Sequence, residues 1–155
     1  YELFEECGTI TAFDAFMEHK NYLTPKIMSL MDGRVLDRIL RGKSMSLDDV
    51  NKLFWNRING IEKIQELVGN NFLIMPTCPI LAPMLSEVEN DKEVFHELNL
   101  KSLRNTMLGN YFNMPAVTLP LRVLKKKMHS GFMIYSRFGM DDMLLSQAKE
   151  IENIL

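Results

Sequence analysis

The sequence contains 155 residues, of which 46% are hydrophobic and 25% charged, and its 18 basic and 20 acidic side chains leave a formal net charge of -2. This composition is typical of a globular protein with one core. It excludes the strongly basic surface that binds a phosphate backbone, so we expect no nucleic-acid partner. The longest apolar run, residues 72–76, is far shorter than the roughly 20 residues that span a bilayer. We therefore expect no membrane span.

The first half of the chain predicts two long amphipathic helices. Residues 24–42 predict a single helix with Thr24 as its N-cap, Pro25 at its first position and a weak point at Gly33. Residues 46–69 predict the second helix, because apolar side chains recur at helical spacing behind a Ser-x-x-Asp sequence that has the spacing of a capping box.

The middle of the chain predicts a strand followed by a helix. Residues 72–77 form a short apolar run between turn residues and predict a buried strand that ends in a proline-rich loop. Residues 86–93 are polar and predict a surface connection. Residues 98–112 then predict a helix that ends before Pro115.

The last third of the chain predicts a pair of strands and a final helix. Residues 116–124 and 131–135 predict adjacent strands of one sheet, joined by a solvated turn of three lysines, residues 125–127. Pro120 requires an edge strand or a bulge, because proline has no N–H to donate. Residues 141–155 predict a helix, so helices alternate with strands along the chain and a layered α/β domain is expected.

The residues alone reveal no complete catalytic site. The eight glycines are never clustered, so neither a G-x-S-x-G elbow nor a phosphate-binding loop is present, and the three histidines have no second ligand at metal-site spacing. We expect no metal and no cofactor. Cys78 could act as a thiol nucleophile with His129 as its base, but a cysteine beside prolines is far more often packed and inert.

The cysteines also indicate a compartment. Cys7 and Cys78 are too few and too far apart for a disulfide framework or a C-x-x-C motif. A reducing environment is therefore favoured, and we expect a cytoplasmic protein.

Three stretches of the chain, taken together and in order, resemble the C-terminal part of the amidase signature family. Residues 76–83 resemble the family's P-T-x-P-x-x-A-P segment. Residues 106–120 are similar to its T-x-x-x-N-x-x-G-x-P-A segment and the strand that follows. Residues 131–152 resemble G-x-Q, then D-x-x-L-L, then the last helix.

The resemblance is strongest over residues 72–155 and looser over residues 24–69, whereas residues 1–23 stay unassigned. It implies that residues 1–155 are the C-terminal portion of a single amidase domain, an α/β fold in which helices flank a mixed β-sheet. Because the chain opens at Tyr1 in sequence typical of the middle of a helix, we expect a further segment upstream.

Three positions depart from the family's pattern. Asn113 stands where glycine is usual, and asparagine tolerates left-handed backbone better than most other residues. Met133 replaces the usual glutamine, which removes a polar contact. Ser136 stands at a position after the G-x-Q segment where the family often has a glycine.

The resemblance implies hydrolysis of a small-molecule carboxamide to a carboxylate and ammonia or an amine through an acyl-serine intermediate. The family's nucleophilic serine, its second serine with a cis peptide bond and its lysine base all lie in the N-terminal half of the domain. We therefore expect no catalytic residue in this chain, which alone should be inactive, and its first partner should be the remainder of the domain. Thr106, Met107 and Asn110 are the substrate-pocket candidates, although Asn110 could instead serve structure only.

The substrate class is narrowed by two further positions. Members that use glutamine in transfer-RNA-linked reactions carry an aspartate three residues before the threonine, where this chain has Leu103, which cannot hold an ammonium group. Arg38 stands where those members carry an arginine that pairs a carboxylate, and it is a fourth pocket candidate. Two features resemble the fatty-amide-hydrolysing branch of the family more than the glutamine-using branch. They are the apolar Met133 and the Thr-Met-Leu sequence at residues 106–108.

A competing hypothesis is a non-catalytic remnant of an amidase that acts as a binding or assembly module. In either case, a truncated sheet would expose apolar edges, so we expect the chain to aggregate, to form a homo-oligomer or to bind a partner that covers them.

Overall fold

A computed structural model describes residues 1–121 and 130–155. The predicted lysine turn, the end of the strand predicted over residues 116–124, and His129 lie outside the described residues. The chain divides into two compact units, Tyr1–Asn59 and Gly60–Leu155, and each is described by itself.

The first unit is helical in all its regular elements. These are α1 (Glu2–Cys7), α2 (Ile10–His19), α3 (Pro25–Met28), α4 (Gly33–Lys43) and the first part of α5 (Leu47–Val68), which continues into the second unit. The prediction that the first residues of the chain are helical is confirmed by α1, whereas α2 was not predicted. Its start is set by Thr9, whose Oγ1 accepts a hydrogen bond from the Ala12 N–H at 3.2 Å.

The prediction of one helix over residues 24–42 is wrong, because the chain forms α3 and α4 separately. Thr24 caps α3 as predicted, but Asp32 then caps a second helix, its carboxylate accepting the Arg34 N–H at 2.8 Å. The Arg34 guanidinium also donates to this carboxylate at 2.6 Å, and that hydrogen bond holds the pKa of Asp32 well below its usual range. A local side-chain bond thus outcompetes continuation of the helix.

Gly42, predicted to follow the helix end, lies inside α4 where α2 crosses it. A Cβ at this position would overlap the Ala12 backbone carbonyl, so glycine permits the close approach of the two helices.

The start of α5 confirms the predicted capping box. Ser46 Oγ accepts the Asp49 N–H at 3.1 Å, and the Asp49 carboxylate accepts the Ser46 N–H at 3.0 Å. The helix ends at Val68, as predicted, because Gly69 adopts a left-handed φ of 56°.

The second unit combines the C-terminal part of α5 with a small sheet and further helices. Its remaining elements are β1 (Leu73–Pro76), α6 (Leu85–Val88), α7 (Lys92–Tyr111), β2 (Ala116–Leu121), β3 (Ser130–Tyr135) and α8 (Asp141–Glu152). The surface connection predicted over residues 86–93 is confirmed, because all of these residues are exposed except the half-buried Val88, although the short helix α6 that overlaps it was not anticipated. α7 also begins earlier than predicted, because the Asp91 carboxylate accepts the N–H groups of Glu93 and Val94.

The three strands form one antiparallel sheet in the order β1-β3-β2. The predicted pairing of the last two strands is confirmed, as is the prediction that Pro120 lies on an edge strand. The expected mixed sheet is antiparallel within the described part of this chain. The prediction of a buried first strand is wrong, because β1 is also an edge strand and Ile74 remains 52% exposed.

Helices cover both faces of the sheet. On one face α8 packs against β2 and β3 around the buried side chains of Leu119, Ile134, Leu144 and Ala148. On the other face Met133 and Tyr135 form a core with Val68, at the end of α5, and Met114. Met133, at the position where the resembled family carries a glutamine, is only 2% exposed and is a core residue here. No helix in the described ranges has the length and apolar character needed to cross a bilayer.

The turn between α7 and β2 confirms the expectation for Asn113. This residue has a φ of 54°, in the left-handed region where glycine is favoured, and the chain then returns so that the Met114 N–H donates to the Gly109 carbonyl at 2.9 Å. The turn directs the chain from α7 into β2.

Substitution of Asn113 should reveal the backbone requirement of this turn. Asn113→Ala and Asn113→Gly both remove the side-chain carboxamide. The loss of its contacts is therefore the same in the two variants and cancels when they are compared. We expect the Gly variant to be more stable by about 1 kcal/mol, because alanine pays the steric cost of the left-handed conformation. Urea unfolding followed by circular dichroism measures the difference, and equal midpoints would contradict it.

Candidate functional site

The orientation of α7 on the sheet is set by a chain of hydrogen bonds. Tyr135 Oη, from the central strand, donates to the Asn105 carbonyl at 2.7 Å, and Asn105 Nδ2 donates to the Pro76 carbonyl at 2.7 Å. Gly109, one turn further along, lies against the Tyr135 ring so closely that a Cβ would overlap it. The side of α7 that carries Asn105 and Gly109 therefore faces the sheet.

The predicted pocket residues of α7 share another side of the helix. At 3.6 residues per turn, Thr106 lies on the flank of the sheet-facing side, Asn110 lies beyond it, and Met107 lies opposite Asn105. Asn110 is exposed, whereas Thr106 and Met107 are half-buried. The three residues therefore form one continuous surface of α7 that does not pack on the sheet.

The polar groups of this surface differ in their availability. Thr106 Oγ1 donates to the Leu103 carbonyl within its own helix at 2.9 Å, which leaves its lone pairs to accept another bond. The carboxamide of Asn110 is exposed to solvent and can both donate and accept. Leu103 is half-buried on the same side of α7 and adds an apolar side chain to this surface.

The fourth predicted pocket residue, Arg38, belongs to the first unit. It is an exposed side chain of α4. The structure thus groups Thr106, Met107 and Asn110 on one helix, while Arg38 remains a separate prediction.

A threonine pair joins the two edge strands across the central one. Thr77 Oγ1 donates to Thr118 Oγ1 at 3.2 Å, and the Thr77 N–H donates to the Gly131 carbonyl at 2.9 Å. The two side chains meet above Gly131, where a Cβ would overlap Thr77. The resembled P-T segment therefore has a structural function here, because it anchors the end of β1 over the sheet.

Sequence reasoning missed two residues that organise the site. Asn105 precedes the recognised segment, and its partner Pro76 is 29 positions away, so no local signal marks the bond. Thr118 carries a clearer signal, since it is a polar residue in the otherwise apolar strand at the end of the second resembled stretch.

Within the described residues, neither cysteine forms a nucleophilic centre with a neighbouring base. Cys7 is 3% exposed, and burial together with the neighbouring carboxylates of Glu6 and Asp49 raises the pKa of its thiol. Cys78 is exposed, so the expectation of a packed residue is wrong. Its suggested base, His129, lies outside the described residues.

Other candidate sites contribute little. No group of three or more His, Cys, Asp or Glu side chains suited to a metal ion occurs in the described part of the chain. A shallow depression between β2 and the end of α8 is lined by Leu119, Pro120, Glu152 and Leu155, none of which is a predicted pocket residue.

Comparison with known proteins identifies the class of fold. No family model and no curated protein matches this sequence. A solved structure described as the crystal structure of an amidase is similar, with a TM-score of 0.70 and 21% sequence identity. The similarity covers 93% of this chain and 33% of that chain. The chain thus has an amidase-like α/β fold and spans about a third of the amidase that it resembles.

Asn105 and Asn110 offer a matched pair for testing the structural assignment. Asn105→Ala should lower the free energy of unfolding by about 1 to 2 kcal/mol, because the Pro76 carbonyl loses its donor. Asn110→Ala makes the same chemical change on the exposed side of the same helix and should alter stability by less than about 0.5 kcal/mol. Urea unfolding of both variants distinguishes the roles, and equal losses would refute them.

Proposed function

We propose that residues 1–155 are the C-terminal portion of an amidase domain whose complete form hydrolyses a carboxamide. The principal support is the amidase-like fold, which matches 93% of this chain but only 33% of the amidase chain. Further support comes from the three segments that resemble the C-terminal part of the amidase signature family and follow one another in the family's order.

In this proposal the reaction centre lies outside these residues. The complete domain would attack the amide carbonyl with a serine activated by a lysine base, release ammonia or an amine, and hydrolyse the acyl-serine with water. The present portion would supply one wall of the substrate channel. The exposed Asn110 carboxamide suits a hydrogen bond to a substrate amide, and Thr106 stands one turn before it as an acceptor.

The proposed substrate is an amide with an apolar acyl group. Leu103 and Met107 place apolar side chains on the same surface of α7 as Asn110. The ammonium group of a glutamine substrate would lose its hydration beside Leu103 without gaining a charged partner. Glutamine is therefore disfavoured as the substrate. Arg38, which lies in the other unit, would favour a substrate with a carboxylate.

The complete reading frame tests this proposal directly. We expect the protein that it encodes to react with a fluorophosphonate probe at a serine outside the 155 residues and to release ammonia or amine from amides. The 155-residue chain alone should do neither. The control is a preparation from the same host without the gene, which excludes a contaminating amidase. Turnover by the isolated chain, above that control, would overturn the proposal.

The pocket assignment is tested separately in the complete enzyme. Asn110→Ala should lower kcat/KM about tenfold, which corresponds to the roughly 1.4 kcal/mol of one lost hydrogen bond. Thr106→Val, which keeps the shape and removes the hydroxyl, should have a smaller effect of the same sign. Lys101→Ala, at an exposed position two and a half turns before Asn110 and so on the opposite side of α7, is the control and should leave kcat/KM unchanged. An unchanged value for Asn110→Ala would assign that residue to structure alone.

The second candidate is a non-catalytic remnant of an amidase that serves as a binding or assembly module. It is favoured by Met133, which is buried in the core where the resembled family carries a glutamine. The upstream codons discriminate the two candidates. A lysine followed by a Gly/Ser-rich G-G-S-S-G-type loop supports the enzyme, whereas a start codon directly before Tyr1 supports the remnant.

A further inference from the structure

The backbone hydrogen bonds of the sheet alternate between the two neighbours of β3. The Thr77 N–H donates to the Gly131 carbonyl at 2.9 Å, and the Ser136 N–H donates to the Pro115 carbonyl at 3.1 Å. In an antiparallel ladder, alternate residues direct both backbone groups to the same neighbour. The odd-numbered residues of β3 therefore bond β1, and its even-numbered residues bond β2.

The same alternation identifies the backbone groups that point away from the sheet. The residues of β1 and β2 that do not bond β3 direct their N–H and carbonyl groups outward; they are Ile74, Pro76, Ala116, Thr118 and Pro120. All five are exposed, as expected for residues along open edges. The two edges are nevertheless unequal.

The edge of β1 is largely closed to another strand. Pro76 has no N–H, and its carbonyl already accepts the Asn105 carboxamide at 2.7 Å. Only Ile74 retains both outward groups. A proline and a capped carbonyl are typical of edges that are protected from strand addition.

Among the described residues no strand pairs with the outer edge of β2, which is open over two consecutive outward positions. Ala116 and Thr118 each direct an N–H and a carbonyl away from β3, whereas Pro120 ends the open stretch because it has no N–H. An exposed row of unpaired N–H and carbonyl groups is a template on which another extended segment can pair. The open edge is therefore a place where a further extended segment fits.

We propose that a strand from the part of the amidase domain outside these 155 residues pairs with β2 along residues 116–118. This inference rests on the proposed function, since that function supplies the missing part of the domain. The length of the similar amidase favours this source for the strand. The fold matches 93% of this chain but only 33% of the amidase chain. About two thirds of a complete chain of that length would therefore be available to supply a strand for the edge. β2 would then be an interior strand, and the sheet would continue beyond it.

Hydrogen exchange in the complete protein tests the pairing. We expect the N–H groups of Ala116 and Thr118 to exchange at least about a hundredfold more slowly than the N–H of Ile74 on the closed edge. Exchange as fast as that of Ile74 would overturn the inference. Protection that also occurs in the isolated chain and increases with its concentration would overturn it too, because a second copy would then occupy the edge.

A matched pair of variants provides a second test of the strand pairing. Ala116→Pro removes one outward N–H and leaves the β2–β3 ladder intact, as Pro120 does at an equivalent position, whereas Ala116→Val keeps the N–H. The Pro variant of the complete protein should lose the protection of Thr118, and the Val variant should retain it. Protection in both variants would overturn the inference.

The readouts separate this inference from the proposed function. Fluorophosphonate labelling reports the serine chemistry, and hydrogen exchange reports the edge. A labelled, active enzyme with a rapidly exchanging edge refutes the strand pairing alone. A protein that is not labelled but has a protected edge refutes the amidase activity alone.

Discussion

The second unit depends on the central strand β3, which shares its backbone hydrogen bonds between two edge strands. Its residues Met133, Ile134 and Tyr135 are almost fully buried, because each projects into one of the two helical layers. Loss of this strand would separate β1 from β2 and remove the apolar contacts of both layers. The burial of these side chains and the ladder that holds them are therefore the main constraint on the rest of the unit.

Tyr135 extends this constraint to the candidate site. Its ring lies against Gly109, and its hydroxyl donates to the Asn105 carbonyl, so the rotation of α7 about its axis is set from the core. That rotation leaves Thr106 and Asn110 on a surface that the sheet does not cover. One buried aromatic side chain thus separates the structural side of α7 from the side that we propose contacts substrate.

The elements that the sequence predicted correctly are those with strong local signals. The capping box of α5, the left-handed Asn113 and the edge position of Pro120 each follow from the chemistry of one or two neighbouring residues. The errors have equally specific causes. The break between α3 and α4 depends on the Asp32–Arg34 bond, which competes with a helical pattern that is otherwise continuous. The exposure of β1 depends on strand order, which local periodicity does not encode.

By itself, the sequence determined the class of fold, the bounds of α5, β1 and β3 to within about a residue, and the segments that resemble amidases, because capping, turn chemistry and hydrophobic period act over a few residues. Only the tertiary structure decided which side of α7 faces the sheet, that Asn105 closes the edge of β1, and that β2 keeps an open edge. These features arise from contacts between positions as far apart as Asn105 and Pro76. Contacts of this kind form only when the chain has folded, and no local pattern records them.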